Sequence, residues 1–374
     1  MKKKIDKPFL IITLVLLIVG FFIFTSASMG LLAKLYGAAK FKAVLFNQIA
    51  LGLGGGLIAM TIAAHIPYTF WRKHAFYILI ASAVLMILVF TPLGTCTKGA
   101  CRWLDIGGIS IQPAEFFKLG FVMYLACWFA SVKNKVTTWK LGTLPFIILI
   151  GITALLVLMQ PDTDTFMVIT LAGIAIYITA GGRWRDLMIM GVVGILGLTM
   201  LVFQRPYLMN RIQTFIDPSK DPTGSSYQVQ QSLIAIGSGG FTGRGFGQSI
   251  QKFNFLPEPI GDSIFAVAGE EFGFIGCITI IALYIIFAFR GLRIAKHAPD
   301  TFSMLLIIGI ITLIITQSFL NIAAMLSIIP LSGTPLLFIS HGGTALFFTL
   351  ASVGVILNIS RYKNKPRAST AEAK

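Results

Sequence analysis

Long apolar runs, separated by short polar and glycine-rich segments, recur along the whole chain. Each run is long enough to cross a bilayer, which needs roughly 20 residues of helix. The pattern predicts ten helices, at about residues 8–29, 43–64, 76–92, 114–131, 143–160, 164–181, 186–204, 263–289, 303–329 and 336–359. The segment between the seventh and eighth helices, about 205–262, is longer than ordinary connections and is typical of a functional loop. We therefore predict an all-α polytopic membrane protein with one large loop.

No part of the pattern divides the chain into separate domains. We predict a single membrane domain over residues 1–361 and a disordered tail over 362–374, where the sequence becomes polar and charged. The opening MKKKIDK and the apolar run after it resemble a signal peptide. That run is longer than the roughly 7–15 residues of a signal-peptide core, which favours a retained first helix. Cleavage after the segment TSAS is the alternative.

Charge fixes the predicted orientation. The net charge is +16, with 30 basic and 14 acidic residues. If the N-terminus is placed inside, most of the basic residues fall in inner loops and tails, which is the positive-inside pattern. Both termini are then cytoplasmic and the large loop is extracytoplasmic. Basic inner loops suit anionic lipid headgroups, so the charge does not indicate nucleic acid. Most acids fall on the outer side, which indicates that the functional site lies on the outer face.

Two of the four cysteines lie in one outer loop, TCTKGAC. Cys96 and Cys101 could form a short disulfide or remain free thiols, and both alternatives stay open. Their spacing, without a nearby histidine, argues against zinc. Cys127 and Cys277 lie in predicted helices and are expected to be apolar fillers.

The stretch CRWLDIGGISIQPAEFFKLG places ionisable side chains at the start of the fourth predicted helix. Gln112 precedes the proline that opens this helix. Glu115 and Lys118 are three residues apart, so they share one helix face and can pair. Ionisable groups at membrane depth indicate a site or pathway, and a structural ion pair is the alternative. Arg102 could hold a phosphate or act as an interfacial anchor.

Two further stretches suggest anion or cation chemistry. In QPDTDT, either Asp162 or Asp164 is expected to cap the sixth helix, and the two acids could also hold a divalent cation. In GSGGFTGRGFGQSIQK, the glycines can form anion-holding nests to which Arg244 and Lys252 add positive charge. This stretch lacks the ending of a phosphate-binding Walker loop. A flexible surface loop is the alternative.

The stretch LPEPIGDSIFAVAGEEFG places three acids where the eighth predicted helix begins. At about 100° per residue, Glu270 lies roughly 80° from Asp262 and Glu271 roughly 180° away, so the three cannot face one cavity. Asp262 could be a helix cap, a general base at the water–lipid boundary, or both.

These stretches, in this order, resemble the RodA/FtsW group of the shape, elongation, division and sporulation (SEDS) family. Two further stretches carry the same resemblance: RIQTFIDPSKDPTGSSYQVQQSLIAIGSGG and NIAAMLSIIPLSGTPLLFISHGG. The resemblance covers essentially the whole chain, and the glycine-rich stretch is more similar to the FtsW, or division, branch. Several positions depart from the family pattern. Asp164 replaces the glycine of Q-P-D-L-G-T, and His341 replaces an aromatic residue before Gly-Gly. The preceding Leu-Pro-Phe is Leu336-Leu337-Phe338, and IGDSIFAV stands where HTDFIFAV is common.

The resemblance implies a ten-helix peptidoglycan glycosyltransferase of the bacterial cytoplasmic membrane, which polymerises lipid II on the outer face. It also implies a class B penicillin-binding protein as partner, among divisome or elongasome proteins. The key family acid falls on Asp262, and the family's helix-four positions fall on Arg102, Glu115 and Lys118. The residues expected to bind lipid II and the undecaprenyl-pyrophosphate-linked glycan are Arg102, Gln112, Glu115, Lys118, Asp162, Arg211, Arg244, Lys252 and Ser340.

The expected mechanism starts with Asp262 as the base that activates the acceptor hydroxyl. Arg102, Lys118, Arg211 or a divalent cation, Mg²⁺ or Mn²⁺, would stabilise the leaving pyrophosphate. Two other functions are kept as alternatives. A lipid II flippase would use Glu115 and Lys118 as a polar pathway, and a non-catalytic scaffold would activate its penicillin-binding partner.

Overall fold

The computed structural model describes residues 5–33, 37–97, 100–106, 109–217 and 224–362. All but the first residue of the predicted tail at 362–374 lies outside this part of the chain. The α-helices are, in chain order, α1 (Lys7–Met29), α2 (Gly37–Asn47), α3 (Gly56–His65), α4 (Tyr68–Leu88), α5 (Pro113–Val132), α6 (Leu144–Leu158), α7 (Thr163–Thr179), α8 (Trp184–Gln204), α9 (Pro206–Ile216), α10 (Ser225–Ser238), α11 (Ile264–Lys296), α12 (Thr301–Met325) and α13 (Gly343–Ser360).

Nine helical segments among the described residues are long and apolar enough to cross a membrane. The second predicted span is a composite, because a π-helical stretch, Gln48–Gly55, joins α2 to α3. The sixth predicted span is α7, an apolar helix of 17 residues, which is shorter than the other nine. The last predicted span starts too early, since residues 336–342 form turns and α13 begins at Gly343. The start of α4 and the end of α11 also lie well outside the predicted spans 76–92 and 263–289. The all-helical membrane fold is confirmed, with several helix ends misplaced.

The segment before α5, which is predicted to lie outside, contains a small sheet that the apolar pattern did not predict. Strands β1 (Gly94–Thr97), β2 (Ala100–Ile106) and β3 (Ile109–Ile111) pair antiparallel in chain order. Cys96 lies opposite Cys101 in the β1–β2 ladder, and their sulfur atoms are bonded. Of the two alternatives, the structure therefore contains the disulfide. Cys127 and Cys277 are free thiols.

The helix α11 is broken near its outer end by Gly273, whose φ of 63° is left-handed. A side chain there would meet the backbone nitrogen of Gly243 at 2.4 Å. The glycine-rich loop occupies this break: Phe274 N donates to Gly240 O at 2.8 Å, and Arg244 N donates to Glu270 O at 3.0 Å. The loop is therefore attached to the break in α11 by backbone hydrogen bonds, while most of its residues lie exposed at the surface.

The spans differ widely in how far they are enclosed. The apolar windows of α5, α12 and α13 are 67%, 61% and 78% buried, so these helices form the centre of the bundle. In contrast, 6% of the window of α8 is buried, and Asp186 is the one buried residue of this fully described helix. We call α8 and α9 together the arm, residues 184–216. The arm lies at the edge of the bundle, and its second helix, α9, forms the beginning of the predicted large loop.

Candidate functional site

Asp262 lies in the turn that enters α11, and the backbone of this turn is held from two sides. Asn321, fully buried in α12, donates from Nδ2 to the carbonyl of Asp262 at 2.7 Å. Ser340 donates from Oγ to the carbonyl of Gly261 at 2.7 Å. The cap position of α11 is Ser263, so Asp262 does not occupy it. The helix-cap alternative for Asp262 is therefore wrong, and its carboxylate lies beside the segment after α12.

Three charged groups from distant parts of the sequence meet around Gly333. A methyl group on Gly333 would lie 3.7 Å from Nη2 of Arg211 and 3.8 Å from one carboxylate oxygen each of Asp164 and Asp262. Asp164 Oδ2 also lies 3.1 Å from Nη1 of Arg211 and accepts the Gly333 N–H at 2.9 Å. All of these groups are partly exposed. We call Asp164, Arg211, Asp262 and Gly333 the outer cluster, after the side of the membrane on which the charge pattern predicts them.

Arg102 reaches the turn that carries Asp164. Its Nε donates to the carbonyl of Gln160 at 3.0 Å, and Nη2 donates to the carbonyl of Pro161. Nη1 lies 3.7 Å from the carboxylate of Asp162. Asp162 caps α7 by accepting from the backbone of Thr165 at 3.2 Å, as one of the two alternatives predicted. Arg102 thus fixes the start of α7 through its guanidinium.

The predicted pair of Glu115 and Lys118 forms inside the bundle. Lys118 Nζ lies 2.7 Å from Glu115 and 2.6 Å from Oε1 of Gln317, and both charged side chains are buried. Gln317 in turn donates to the carbonyl of Pro335 at 3.4 Å. Gln112 stands at the cap position of α5, one turn before this pair. The network joins α5 to α12 and to the segment that contains Gly333.

Arg244 and Lys252 lie in a separate cluster around the two glutamates of α11. Lys252 is fully buried, and its ammonium lies 2.7 Å from Glu271 and 2.9 Å from the hydroxyl of Ser26 in α1. Arg244 lies 3.5 Å from Glu270. Glu270 also accepts from the backbone nitrogens of residues 250 and 251. The structure therefore does not bring Arg244 and Lys252 to the outer cluster. It also separates Glu270 and Glu271 from Asp262, as the helical angles indicated.

The outer cluster offers few ligands for a metal ion. Within the described ranges, no group of three or more His, Cys, Asp or Glu side chains could hold a metal. Asp164 and Asp262 share one neighbourhood, but Asp164 is already paired with Arg211. A divalent cation prefers about six oxygen ligands. It would therefore depend on water and substrate phosphates for most of its coordination.

The sequence interpretation did not single out Gln317, Asn321 or Gly333. Gln317 and Asn321 lie four residues apart on one face of a largely apolar helix. Polar side chains at this spacing within a membrane span are a usable signal, because hydrocarbon disfavours them. Gly333 carries no such signal. Its position beside three charged groups follows only from the path of the segment after α12.

Comparison with known proteins agrees with this fold. The chain matches the FtsW/RodA/SpoVE family, described as cell cycle protein, over residues 7–365. Stage V sporulation protein E of Bacillus subtilis (strain 168) is 37% identical over 364 residues, which cover 96% of this chain and 98% of that protein. The probable peptidoglycan glycosyltransferase FtsW of Geobacter sulfurreducens (strain DL-1 / KN400) is 38% identical over 313 residues, 83% of this chain and 84% of the relative.

Solved structures show the same architecture. A chain from a structure of a peptidoglycan synthase complex that coordinates polymerization and crosslinking has a TM-score of 0.79 at 24% identity, covering 96% of this chain and 98% of that one. The crystal structure of the rod shape determining protein RodA of Thermus thermophilus has a TM-score of 0.70 at 23% identity, covering 96% and 98%. With the family match over nearly its whole length, the chain belongs to the FtsW/RodA/SpoVE family of cell cycle proteins.

Proposed function

We propose that this chain is a peptidoglycan glycosyltransferase that polymerises lipid II on the outer face of the cytoplasmic membrane. The observation that carries the proposal is the meeting of a carboxylate, Asp262, and a guanidinium, Arg211, at one partly exposed point beside Gly333. Such a pair provides both charges that inverting glycosyl transfer requires: a base for the acceptor and a cation for the leaving group. The relatives named FtsW as probable peptidoglycan glycosyltransferases support the same activity and favour the division branch.

In the proposed reaction, Asp262 removes the proton from the 4-hydroxyl of the acceptor sugar. The resulting oxygen attacks C1 of the donor and inverts it, and the electron pair of the broken C1–O bond leaves with undecaprenyl pyrophosphate. Arg211 faces this developing negative charge. Asn321 and Ser340 hold the backbone on either side of Asp262, so the carboxylate is in place before substrate binds.

The proposed orientation follows from the charge pattern. Both termini are cytoplasmic, and the outer cluster, the sheet and the glycine-rich loop lie outside. A class B penicillin-binding protein is the proposed partner, since one similar structure is a complex in which polymerization and crosslinking are coordinated. Crosslinking requires a transpeptidase, and this is the class implied by the resemblance.

One observation bears on the flippase alternative. Glu115 and Lys118 are ionisable groups buried within the bundle, as a polar pathway requires. However, Lys118 contacts both Glu115 and Gln317 at hydrogen-bonding distance. A satisfied network of this kind joins helices, so the glycosyltransferase is the better supported function.

The proposal is tested by polymerisation of fluorescent lipid II in detergent, where translocation is not needed. The purified chain, alone and with a transpeptidase-inactive class B partner, should give glycan ladders, and Asp262→Asn should give none. Asp300→Asn is the matched control, because Asp300 caps α12 on the predicted inner side and asparagine also caps helices. Folded wild-type protein that makes no ladders with or without the partner would refute the activity. Ladders from Asp262→Asn at the wild-type level would remove Asp262 from its role.

A further inference from the structure

Asp164 is held by two segments that are distant in sequence. Its side chain leaves the first turn of α7, directly after the cap residue Asp162. One carboxylate oxygen, Oδ2, contacts both Nη1 of Arg211 in α9 at 3.1 Å and the backbone N–H of Gly333 at 2.9 Å. The start of α7 is itself fixed by Arg102 through the carbonyls of residues 160 and 161. Asp164 is therefore a fixed point to which Arg211 is attached.

Arg211, in contrast, belongs to the weakly enclosed arm. In α8 Asp186 is the one buried residue, and in α9 the buried residues are Leu208 and Thr214, both helices being fully described. Little apolar burial therefore determines where α9 lies relative to the bundle. The Asp164–Arg211 ion pair joins the arm directly to the bundle at its outer end. The side chains of this pair are 20% and 26% exposed, so the pair adds little to global stability. The main effect of the pair is to fix the position of Arg211 relative to the bundle.

The two terminal nitrogens of the Arg211 guanidinium face different groups. Nη1 faces Asp164, whereas Nη2 lies 3.7 Å from the point beside Gly333 that also lies 3.8 Å from Asp262. A planar guanidinium gripped at one nitrogen keeps its other nitrogens in a defined direction, which a flexible ammonium would not do. The Nη2 end is therefore directed toward the region where Asp262 would act on the acceptor.

We propose that Asp164 is a positioning residue, which holds the Arg211 guanidinium beside Asp262 so that it meets the charge developing on the leaving pyrophosphate. The inference rests on the proposed function. Acceptor O–C1 bond formation, C1–O bond cleavage and proton transfer to Asp262 remain as described above; Asp164 takes part in none of them and acts through Arg211.

A double-mutant cycle tests the inference. The variants are Asp164→Asn, Arg211→Gln and their combination, with Asp300→Asn as the matched control on the inner side. In the lipid II assay, Asp164→Asn should lower kcat about tenfold while KM rises less than about twofold, because transition-state stabilisation is lost and ground-state binding is kept. Arg211→Gln should lower kcat at least as far. The double variant should be no slower than Arg211→Gln alone, since Asp164 has nothing left to position.

Thermal unfolding in detergent separates positioning from a structural role. Asp164→Asn should unfold within about 2 °C of wild type, as expected for a partly exposed pair. Three results would each overturn the inference. The kcat losses of the two single variants could multiply in the double variant, Asp164→Asn could keep the wild-type kcat, or its unfolding temperature could fall in parallel with its activity. A wild-type chain that makes no glycan at all would refute the proposed function and the inference with it. Wild-type activity with multiplying losses would refute the inference alone.

Discussion

At the scale of single residues, the same side-chain types do different work according to their contacts. Asp262, Glu270 and Glu271 lie within nine residues of sequence. Glu271 is buried against Lys252, and Glu270 against Ser249 and nearby backbone nitrogens. Asp262 instead remains partly exposed beside Arg211. Two of the three acids are thus part of the scaffold, and the third is accessible to a substrate.

His341 gives a pH-dependent contribution to stability. Its ring stacks on Phe24 at 6.1 Å, and its Nε2 is buried without a partner among the described residues. Burial lowers the pKa of His341, and Glu258 partly offsets this effect. Because the folded pKa lies below the unfolded value, the unfolded chain binds more protons as the pH falls through about 6.5. Stability is therefore retained above that pH and lost below it.

We expect the unfolding temperature of wild type to fall between pH 7.5 and pH 5.5 more than that of His341→Phe. Phenylalanine keeps the stacking with Phe24 and does not titrate. Each protein is compared with itself at the two pH values, so a constant packing effect of the substitution cancels. Equal falls in the two proteins would show that His341 does not resist protonation in the fold.

At the scale of helices and loops, the apolar pattern predicted the elements that consist of long apolar runs. The runs located the spans because a membrane helix must be long and apolar, but the sheet at 94–111 was missed because its strands have 3 to 7 residues. The break at Gly273 was also missed. A glycine inside an apolar run does not reveal that a loop some 30 residues earlier fills the break.

The candidate site shows the same limit. Asp262 and Arg211 were identified through motifs, whereas their meeting at Gly333 depends on three segments that are distant in sequence. Lys252 was expected to bind substrate, because a lysine beside glycines resembles an anion site. In the structure its side chain is buried against Glu271 of α11 and Ser26 of α1, two helices that are distant in sequence from the motif. Pairing across elements is what local sequence patterns do not specify.

The Lys252–Glu271 pair should anchor the glycine-rich loop to the broken helix α11. Lys252→Met leaves the carboxylate of Glu271 buried without its cation, which costs about 3–5 kcal/mol. We expect a clear fall in the unfolding temperature, partly reversed by adding Glu271→Gln, because that change removes the remaining buried charge. Thermal unfolding in detergent measures both effects.

Arg244→Gln is the matched control for this cluster, since the side chain of Arg244 is 37% exposed and its pair with Glu270 is correspondingly weaker. It should shift the unfolding temperature much less than Lys252→Met. A shift of equal size in both variants would mean that burial of Lys252 is not what makes its pair important.

At the scale of the whole molecule, the two faces of the protein have different duties. The basic loops predict which face lies inside, and in that orientation the sheet, the glycine-rich loop and the outer cluster lie on the predicted outer face. The enclosed helices α5, α12 and α13 provide a fixed base for that face. The weakly buried arm brings Arg211 to the outer cluster from the edge of the bundle.

The disulfide tests this orientation, because disulfides persist outside the cytoplasm and not within it. Protein prepared with blocked thiol exchange and then denatured should show two reactive thiols, Cys127 and Cys277, and four after reduction. The variant Cys96→Ser with Cys101→Ser should show two in both conditions. Four thiols before reduction would place the β1–β2 hairpin on the cytoplasmic side and contradict the proposed topology.

Formation of the first glycosidic bond tests Asp262 at the step where it is proposed to act. With labelled lipid II at a saturating concentration, so that donor and acceptor are both bound, wild type and Asp300→Asn in complex with the partner should form the tetrasaccharide product at similar initial rates. Asp262→Asn should bind lipid II with comparable affinity and form this bond about 10²- to 10⁴-fold more slowly, the range typical of a lost general base. Bond formation by bound Asp262→Asn at the wild-type rate would contradict the assignment of Asp262 as the base.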